Sequence, residues 1–191
     1  MHVMQTTINA WYTLIAPFYE QLMRIEEPPE ARKQLFTHLN IQSGERVLEI
    51  GSGTGKNVDY YPSSTRVTFL DINHSMLRRA KRKQKRNSGS YTLVRADATR
   101  LPFADNSLDV VVMTYALSAI PENERALQEA ERVTRPGGHI GILDFVRAFP
   151  FPMGGMSSLN LFNLLREREG NLVCGEYLPK KRQGIYILQV P

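Results

Sequence analysis

Gly51, Gly53 and Gly55 stand at every second position after a short apolar run, Val47-Leu48-Glu49-Ile50. The run is too short for a helix and reads as a buried strand entering a tight turn. Without a Cβ, the main chain of such a turn can approach a ligand closely. Asp71 closes a second apolar run, Val67-Thr68-Phe69-Leu70. A carboxylate there is a strong acceptor and can take both hydroxyls of a ribose. Taken alone, Asp71 reads equally well as a helix cap or a surface carboxylate.

Two nucleotide chemistries fit this turn poorly. A phosphate-cradling loop needs an earlier glycine where Ile50 stands, and Ser or Thr where Asn57 follows Gly55-Lys56. A dinucleotide fingerprint wants its third glycine where Lys56 stands, which weakens that reading. A nicotinamide-dependent dehydrogenase nevertheless uses the same kind of fold and stays a rival.

The elements that must position these residues alternate. Strands are predicted over 46–50, 67–71, 91–94, 108–113 and 140–145. Helices are predicted over 30–39, 75–86 and 122–134, with a short one over 56–61. Pro136-Gly137-Gly138 reads as a sharp break before the fifth strand. Residues 5–24 have helical spacing interrupted by Pro17, so two short helices or a kink are expected. Residues 157–168 fit a helix, and 172–178 with 185–190 fit a hairpin. Such alternation argues for an α/β fold, a doubly wound, mostly parallel sheet. One domain is expected: a helical cover over 1–43, a binding core over 44–146, and an acceptor-side helix and hairpin over 147–191.

The composition, 42% hydrophobic and 23% charged over 191 residues, is that of an ordinary globular chain. No apolar stretch is long enough to span a bilayer, and the N-terminus lacks a signal-peptide pattern. Cys174 is the single cysteine, which agrees with a reducing cytoplasm. No cluster of Cys and His has metal-ligand spacing, so no metal is expected. The net charge of +5 favours anionic partners without choosing among them.

Seven of the nine residues 78–86 are basic. On a helix they cannot all share one face, and a solvated surface is the favoured reading. Peripheral contact with an anionic membrane is the sharper alternative. No aromatic-and-basic module for RNA or DNA accompanies the run.

Further segments carry a resemblance. Glu49-x-Gly51-x-Gly53-x-Gly55 with Asp71, Arg95-Ala96-Asp97-Ala98, Leu101-Pro102-Phe103 through Asp109, and Arg132-Val133-Thr134-Arg135-Pro136-Gly137-Gly138 resemble, in order and spacing, the class I methyltransferases that bind S-adenosylmethionine. The resemblance implies a Rossmann-like sheet of about seven strands ending in an antiparallel hairpin. It implies S-adenosyl-L-methionine as cofactor. Glu49, Gly51, Ser52, Gly53 and Gly55 would shape its amino-acid end, and Asp71 would hold its ribose. Asp97 and the Ala98 backbone would read the adenine edge, with Ile72 and Met76 flanking the ring. Thr114 and Tyr115 would lie near the sulfonium.

The opening Tyr12-x-x-x-Ala16-Pro17-x-Tyr19-Glu20 is similar to two bacterial branches, one methylating phosphatidylethanolamine and the other making ubiquinone and menaquinone. Tyr115 through Arg125 is closer to the phospholipid branch. By resemblance, Tyr12 and Tyr19 would fold over the cofactor; by composition alone they are core aromatics. The implied reaction is an in-line methyl displacement by a small amphipathic acceptor such as a phospholipid amine. A quinone precursor, another small acceptor, or cofactor binding without turnover are the alternatives. His38, His74, His139 and Asp144 are candidate bases, none with a decisive placement. Residues 148–156, rich in Phe, Met and Pro, read either as a hydrophobic lip to the acceptor pocket or as a lead into the next helix.

Overall fold

In the computed structural model, residues 2–23, 27, 29–84, 90–146, 163–178 and 182–191 are described. Strands β1 (Arg46–Ile50), β2 (Arg66–Asp71), β3 (Ser90–Arg95), β4 (Leu108–Thr114), β5 (Thr134–Phe145), β6 (Leu172–Leu178) and β7 (Gln183–Gln189) form one sheet in the order β3-β2-β1-β4-β5-β7-β6. The first five are mutually parallel, and β7 inserts antiparallel between β5 and β6.

Helices α1 (His2–Ile15), α2 (Tyr19–Leu22), α3 (Pro29–Leu39), α4 (His74–Gln84) and α5 (Asn123–Val133) accompany the sheet. Alternate strand residues serve opposite faces. Leu48, Ile50, Val111 and Met113 pack with Leu127 and Ala130 of α5. Val47, Val110 and Val112 pack with Leu35 and Phe36 of α3. Both faces are therefore covered, which explains why β4 is apolar almost throughout.

Strand order reverses between β1 and β4, the place where open parallel sheets bind ligands. Register sets what meets there. Ile50 pairs with both Leu70 and Met113, which brings Gly51 level with Asp71 on one side and Thr114 on the other.

Several boundaries differ from expectation. Between Gly55 and Pro62 there is room for a single tight turn, a 3-10 helix over Val58–Tyr60. Pro136-Gly137-Gly138 does not break the chain before β5 but lies inside it. The Gly137 N–H donates to the Val190 carbonyl at 2.8 Å and the Val190 N–H to the Gly138 carbonyl at 3.0 Å, so the segment stays in the sheet although Gly137 turns to φ 74°. The β4–β5 register shifts between Leu108 and Val110, a bulge that absorbs the irregularity. A Cβ on Gly138 would lie 2.7 Å from the Asp109 carbonyl oxygen, so only glycine fits that crossing. Of the expected helix over 157–168, residues 163–166 are helical, while 157–162 lie outside the described residues. The proposed lip at 148–156 also lies outside them, as do residues 85 and 86 of the basic run.

Candidate functional site

Gly51, Gly53 and Gly55 all have positive φ, at 67°, 54° and 73°. They do three different things. A Cβ on Gly51 would sit 2.5 Å from the Ala116 Cβ, so Gly51 lets β1 pass the chain leaving β4. A Cβ on Gly55 would press at 3.2 Å on Ala80, so Gly55 lets the turn pack on α4. Gly53 alone opens onto space, its nearest neighbour being the Gly51 carbonyl oxygen at 3.9 Å. It is bare backbone at the wall of a cleft.

That cleft contains about 770 Å³ of empty space including its open mouth. Ligand pockets of roughly 300–1,000 Å³ hold small organic molecules. Eleven of the fourteen expected residues line it: Tyr12, Tyr19, Gly51, Gly53, Asp71, Ile72, Met76, Asp97, Ala98, Thr114 and Tyr115. Glu49, Ser52 and Gly55 do not. Glu49 is buried behind the turn, Gly55 faces α4, and Ser52 packs inward with its hydroxyl lacking a partner among the described residues.

Asp71 sits at the end of β2. Its carboxylate accepts the Gly53 N–H at 2.8 Å and the Asn73 N–H at 2.7 Å. Burial raises its pKa, and those two amides counter the rise. Two of the roughly four lone-pair directions of the carboxylate are thus used, leaving acceptor capacity for a ligand hydroxyl. Asp97, on the rim, accepts the Thr99 N–H and hydroxyl at 2.9 and 2.8 Å. Between the two acids, Leu70, Ile72, Met76 and Ala98 offer apolar surface suited to a flat ring. The acceptors, bare backbone and apolar walls fit a nucleoside with a vicinal diol.

Tyr115 adopts φ 53° directly after β4, a left-handed conformation that costs a non-glycine residue about 1–2 kcal/mol. Its N–H donates to the Leu143 carbonyl at 2.7 Å and its hydroxyl to Gln183 at 3.1 Å. The Arg32 guanidinium lies 5.0 Å from its ring centroid. Strain of this kind persists where the surroundings over-determine the backbone, characteristically beside a binding site.

The cover is tied down by buried charge. Glu27 accepts the Tyr19 hydroxyl at 2.8 Å, Arg32 Nη2 at 2.6 Å and Lys56 Nζ at 2.8 Å. Arg32 Nη1 donates to Asn57 and, at 3.1 Å, to the Thr114 hydroxyl. Asn57 Nδ2 donates to Thr114 at 2.9 Å and to Glu49 at 3.0 Å, and the Tyr61 hydroxyl donates to Glu49 at 2.6 Å. This chain of contacts runs from Tyr19 to Thr114, both of which line the cleft. Burial pushes the Glu49 carboxyl up to about 7, against the pull of Tyr61, Arg32 and Asn57. Burial also raises Tyr12, and burial together with Glu27 raises Tyr19, so both phenols keep their protons.

The candidate bases lie elsewhere or are occupied. Asp144, pushed up to about 6 by burial, accepts the Ser118 N–H at 3.0 Å and the Ser118 hydroxyl, and so clamps the 3-10 turn after β4. His139 pairs with Val110, near the start of β4 and far from its cleft end. His38 lies 3.6 Å from Glu176 on a partly exposed face. His74 is exposed at the start of α4. Among the described residues no His, Cys, Asp and Glu group could hold a metal ion.

Sequence reasoning missed Ile8, Asn9 and Asn73, which also line the cleft. Asn73 Oδ1 caps α4 through the Met76 N–H at 3.1 Å, while its Nδ2 donates to the Asn9 carbonyl, the Asn9 side chain and the Thr13 hydroxyl at 3.0, 2.7 and 2.8 Å. An Asn just before an expected helix was the available signal for the cap; nothing local pointed to α1 as its other partner.

Residues 48–142 match the methyltransferase-domain family. Phosphatidylethanolamine N-methyltransferase of Cereibacter sphaeroides is 37% identical over 123 residues, 63% of this chain and 59% of that one. The ubiquinone/menaquinone biosynthesis C-methyltransferase UbiE of Haemophilus ducreyi is 32% identical over 139 residues, 70% of this chain and 54% of that one. The chain thus spans less than two thirds of the length of either curated relative. A crystal structure of a SAM-dependent methyltransferase from Aquifex aeolicus shares the fold with a TM-score of 0.72 at 17% identity, over 90% of this chain and 98% of that one. The motif-bearing turn, the acid one strand away and these matches agree: the chain belongs to the class I S-adenosylmethionine-dependent methyltransferases.

Proposed function

We propose that the protein transfers a methyl group from S-adenosylmethionine to the amine of a small amphipathic acceptor of the phospholipid-headgroup kind. The observation that carries the reading is the open backbone of Gly53 held beside the Asp71 carboxylate, at the mouth of a cleft covered by Tyr12 and Tyr19. In this reading Asp71 takes the ribose hydroxyls, Asp97 and Ala98 hold the adenine edge, and Ile72 and Met76 flank the ring. When bound, the cofactor supplies an electrophilic methyl on a sulfonium.

The chain's own residues then orient and dehydrate. Tyr12 and Tyr19, kept protonated, shut the cleft from water. Thr114 and Tyr115 are held by Arg32 at the acceptor end, where Ala116, Ala119 and Ile120 add apolar surface. Alignment and exclusion of water supply up to about 7–11 kcal/mol for well-placed reactants. An acceptor arriving as the free amine brings its own lone pair. The engagement of Asp144 with Ser118 and the distant His139 therefore favour an amine over a carbon acid, which needs a base to form its nucleophile.

A second reading, methylation of a quinone precursor, draws support from the relative in ubiquinone and menaquinone biosynthesis. Labelled methyl transfer from S-adenosylmethionine to phosphatidylethanolamine vesicles and to demethylated quinones separates them. Label in the lipid amine upholds the proposal; label in the quinone alone replaces it. Cofactor binding with label in neither rejects both acceptors.

A further inference from the structure

Ser75, Arg78, Arg79 and Arg82 recur along α4 at the spacing that places residues on one helical stripe. Met76, Leu77 and Ala80 occupy the opposite, buried side. The stripe forms one wall of a groove whose other wall is Thr13, Ala16 and Pro17, at the end of α1. Part of the basic run is therefore gathered onto one face, contrary to a purely dispersed surface. Among the described residues, none of the three guanidiniums has a carboxylate partner, and no acid lines the groove. Like charges at this spacing repel, so an anion seated between them would relieve an unfavourable arrangement.

Two exposed apolar residues adjoin one wall of the groove in sequence. Leu14 and Phe18 are 75% and 64% exposed, and each directly follows a residue of the groove wall, Thr13 and Pro17. A single exposed apolar residue needs no explanation. Two of them, each next in sequence to the wall of an arginine groove, supply the composition of a bilayer interface: apolar groups for the acyl boundary and cations for phosphate. A nucleic-acid backbone or a free phosphate would use the arginines and leave both apolar side chains in water.

We propose that the α1–α4 groove docks the phosphate of an anionic phospholipid at a membrane surface, with Leu14 and Phe18 entering the acyl boundary. The inference goes beyond the methyl-transfer reading and rests on it for its purpose alone. The two helices that wall the groove also wall the cleft, through Asn9 and Tyr12 on α1 and Met76 on α4. Docking there would hold the cleft at the surface where an amphipathic acceptor lies.

The test is co-sedimentation of the full chain, without cofactor, with phosphatidylcholine vesicles carrying or lacking phosphatidylglycerol. Binding is expected to be at least about tenfold stronger to the anionic vesicles, and to fall as salt rises from about 0.05 to about 0.5 M. That salt titration needs no variant. The double variants Arg78→Glu/Arg82→Glu and Leu14→Ser/Phe18→Ser should each lose about tenfold or more in vesicle binding. Equal binding to neutral vesicles, salt-insensitive binding, or full binding by the charge-reversed variant overturns the proposal. So does binding of inorganic phosphate by a protein that ignores vesicles. Affinity for S-adenosylhomocysteine, read on the same variants by calorimetry, is expected to be unchanged. Its loss in the wild-type chain would defeat the methyl-transfer reading instead, so the two failures are distinguishable.

Discussion

The Gly53 amide donates a 2.8 Å hydrogen bond to the Asp71 carboxylate, joining the turn after β1 to the end of β2. The same carboxylate is thereby both a brace for the turn and an acceptor facing the cleft. Asp71→Asn keeps an oxygen for the Gly53 amide and removes the charge. Hydrogen bonds to a charged group are worth about 1.5–3 kcal/mol. S-adenosylhomocysteine affinity should therefore fall about tenfold or more, and stability by about 1–3 kcal/mol, because the new amide nitrogen faces the Asn73 N–H that the second carboxylate oxygen had accepted. Unchanged affinity in calorimetry removes Asp71 from the site.

Gly51 and Gly53 should fail in different ways. A methyl at Gly51 collides with Ala116, so Gly51→Ala is expected to destabilise the fold by several kcal/mol, combining left-handed strain of about 1–2 kcal/mol with overpacking of about 1–3 kcal/mol. A side chain at Gly53 meets no atom closer than 3.9 Å, so Gly53→Val carries the left-handed strain of about 1–2 kcal/mol without overpacking and should leave a folded protein whose cleft wall is blocked. Chemical denaturation and ligand titration on both variants check the contrast. A Gly53→Val protein that binds with native affinity contradicts the assignment of that backbone.

Arg32 and Glu27 are buried and 2.6 Å apart. Arg32→Met leaves the Glu27 carboxylate to Lys56 and the Tyr19 hydroxyl and takes a donor from Asn57 and Thr114. Breaking a buried ion pair from one side costs about 3–5 kcal/mol. Adding Glu27→Gln should restore part of the loss, a non-additivity readable in a double-mutant cycle. A single-variant loss under about 1 kcal/mol in urea would show that the network does not hold the cover.

Glu49 gives the stability a pH dependence of definite sign. Its folded pKa is raised to about 7 from 4.5. Between those values the folded state keeps a proton that the unfolded state has released, so stability falls as pH rises through this window and levels off above about 7. Asp144, raised from 3.8 to about 6, adds to the same trend. Glu49→Gln mimics the protonated acid. Its melting temperature should match the wild type near pH 3.5 and exceed it at pH 8, about one unit below and above that window. A difference that is constant with pH rejects the buried, proton-holding Glu49.

The legible parts of the site were the local ones. The glycine turn, Asp71 and the Asp97-Ala98 pair sit at strand ends, where a few neighbouring residues determine the backbone. Their convergence on one cleft follows from the register of β1 with β2 and β4. What stayed hidden was carried by contacts between distant segments. The Arg32–Thr114 bond joins residues 82 positions apart, and Asn73 reaches Asn9 across 64. Neither leaves a periodic trace. Pro136-Gly137-Gly138 misled for the same reason. The residues are breakers in isolation and do bulge the strand, with Gly137 at φ 74°, but the Val190 backbone beside them keeps the bulge within β5. The three arginines of the groove were visible as charge, but their common face depended on where α4 sets its buried stripe.

The central claim is that the cleft beside Gly53 and Asp71 takes S-adenosylmethionine. The electron density of crystals grown with S-adenosylhomocysteine tests it most directly. The expected density is a nucleoside whose ribose hydroxyls meet Asp71, whose adenine lies between Met76 and Ala98, and over which Tyr12 closes. Density for the ligand elsewhere, or a cleft left empty at saturating ligand, contradicts it.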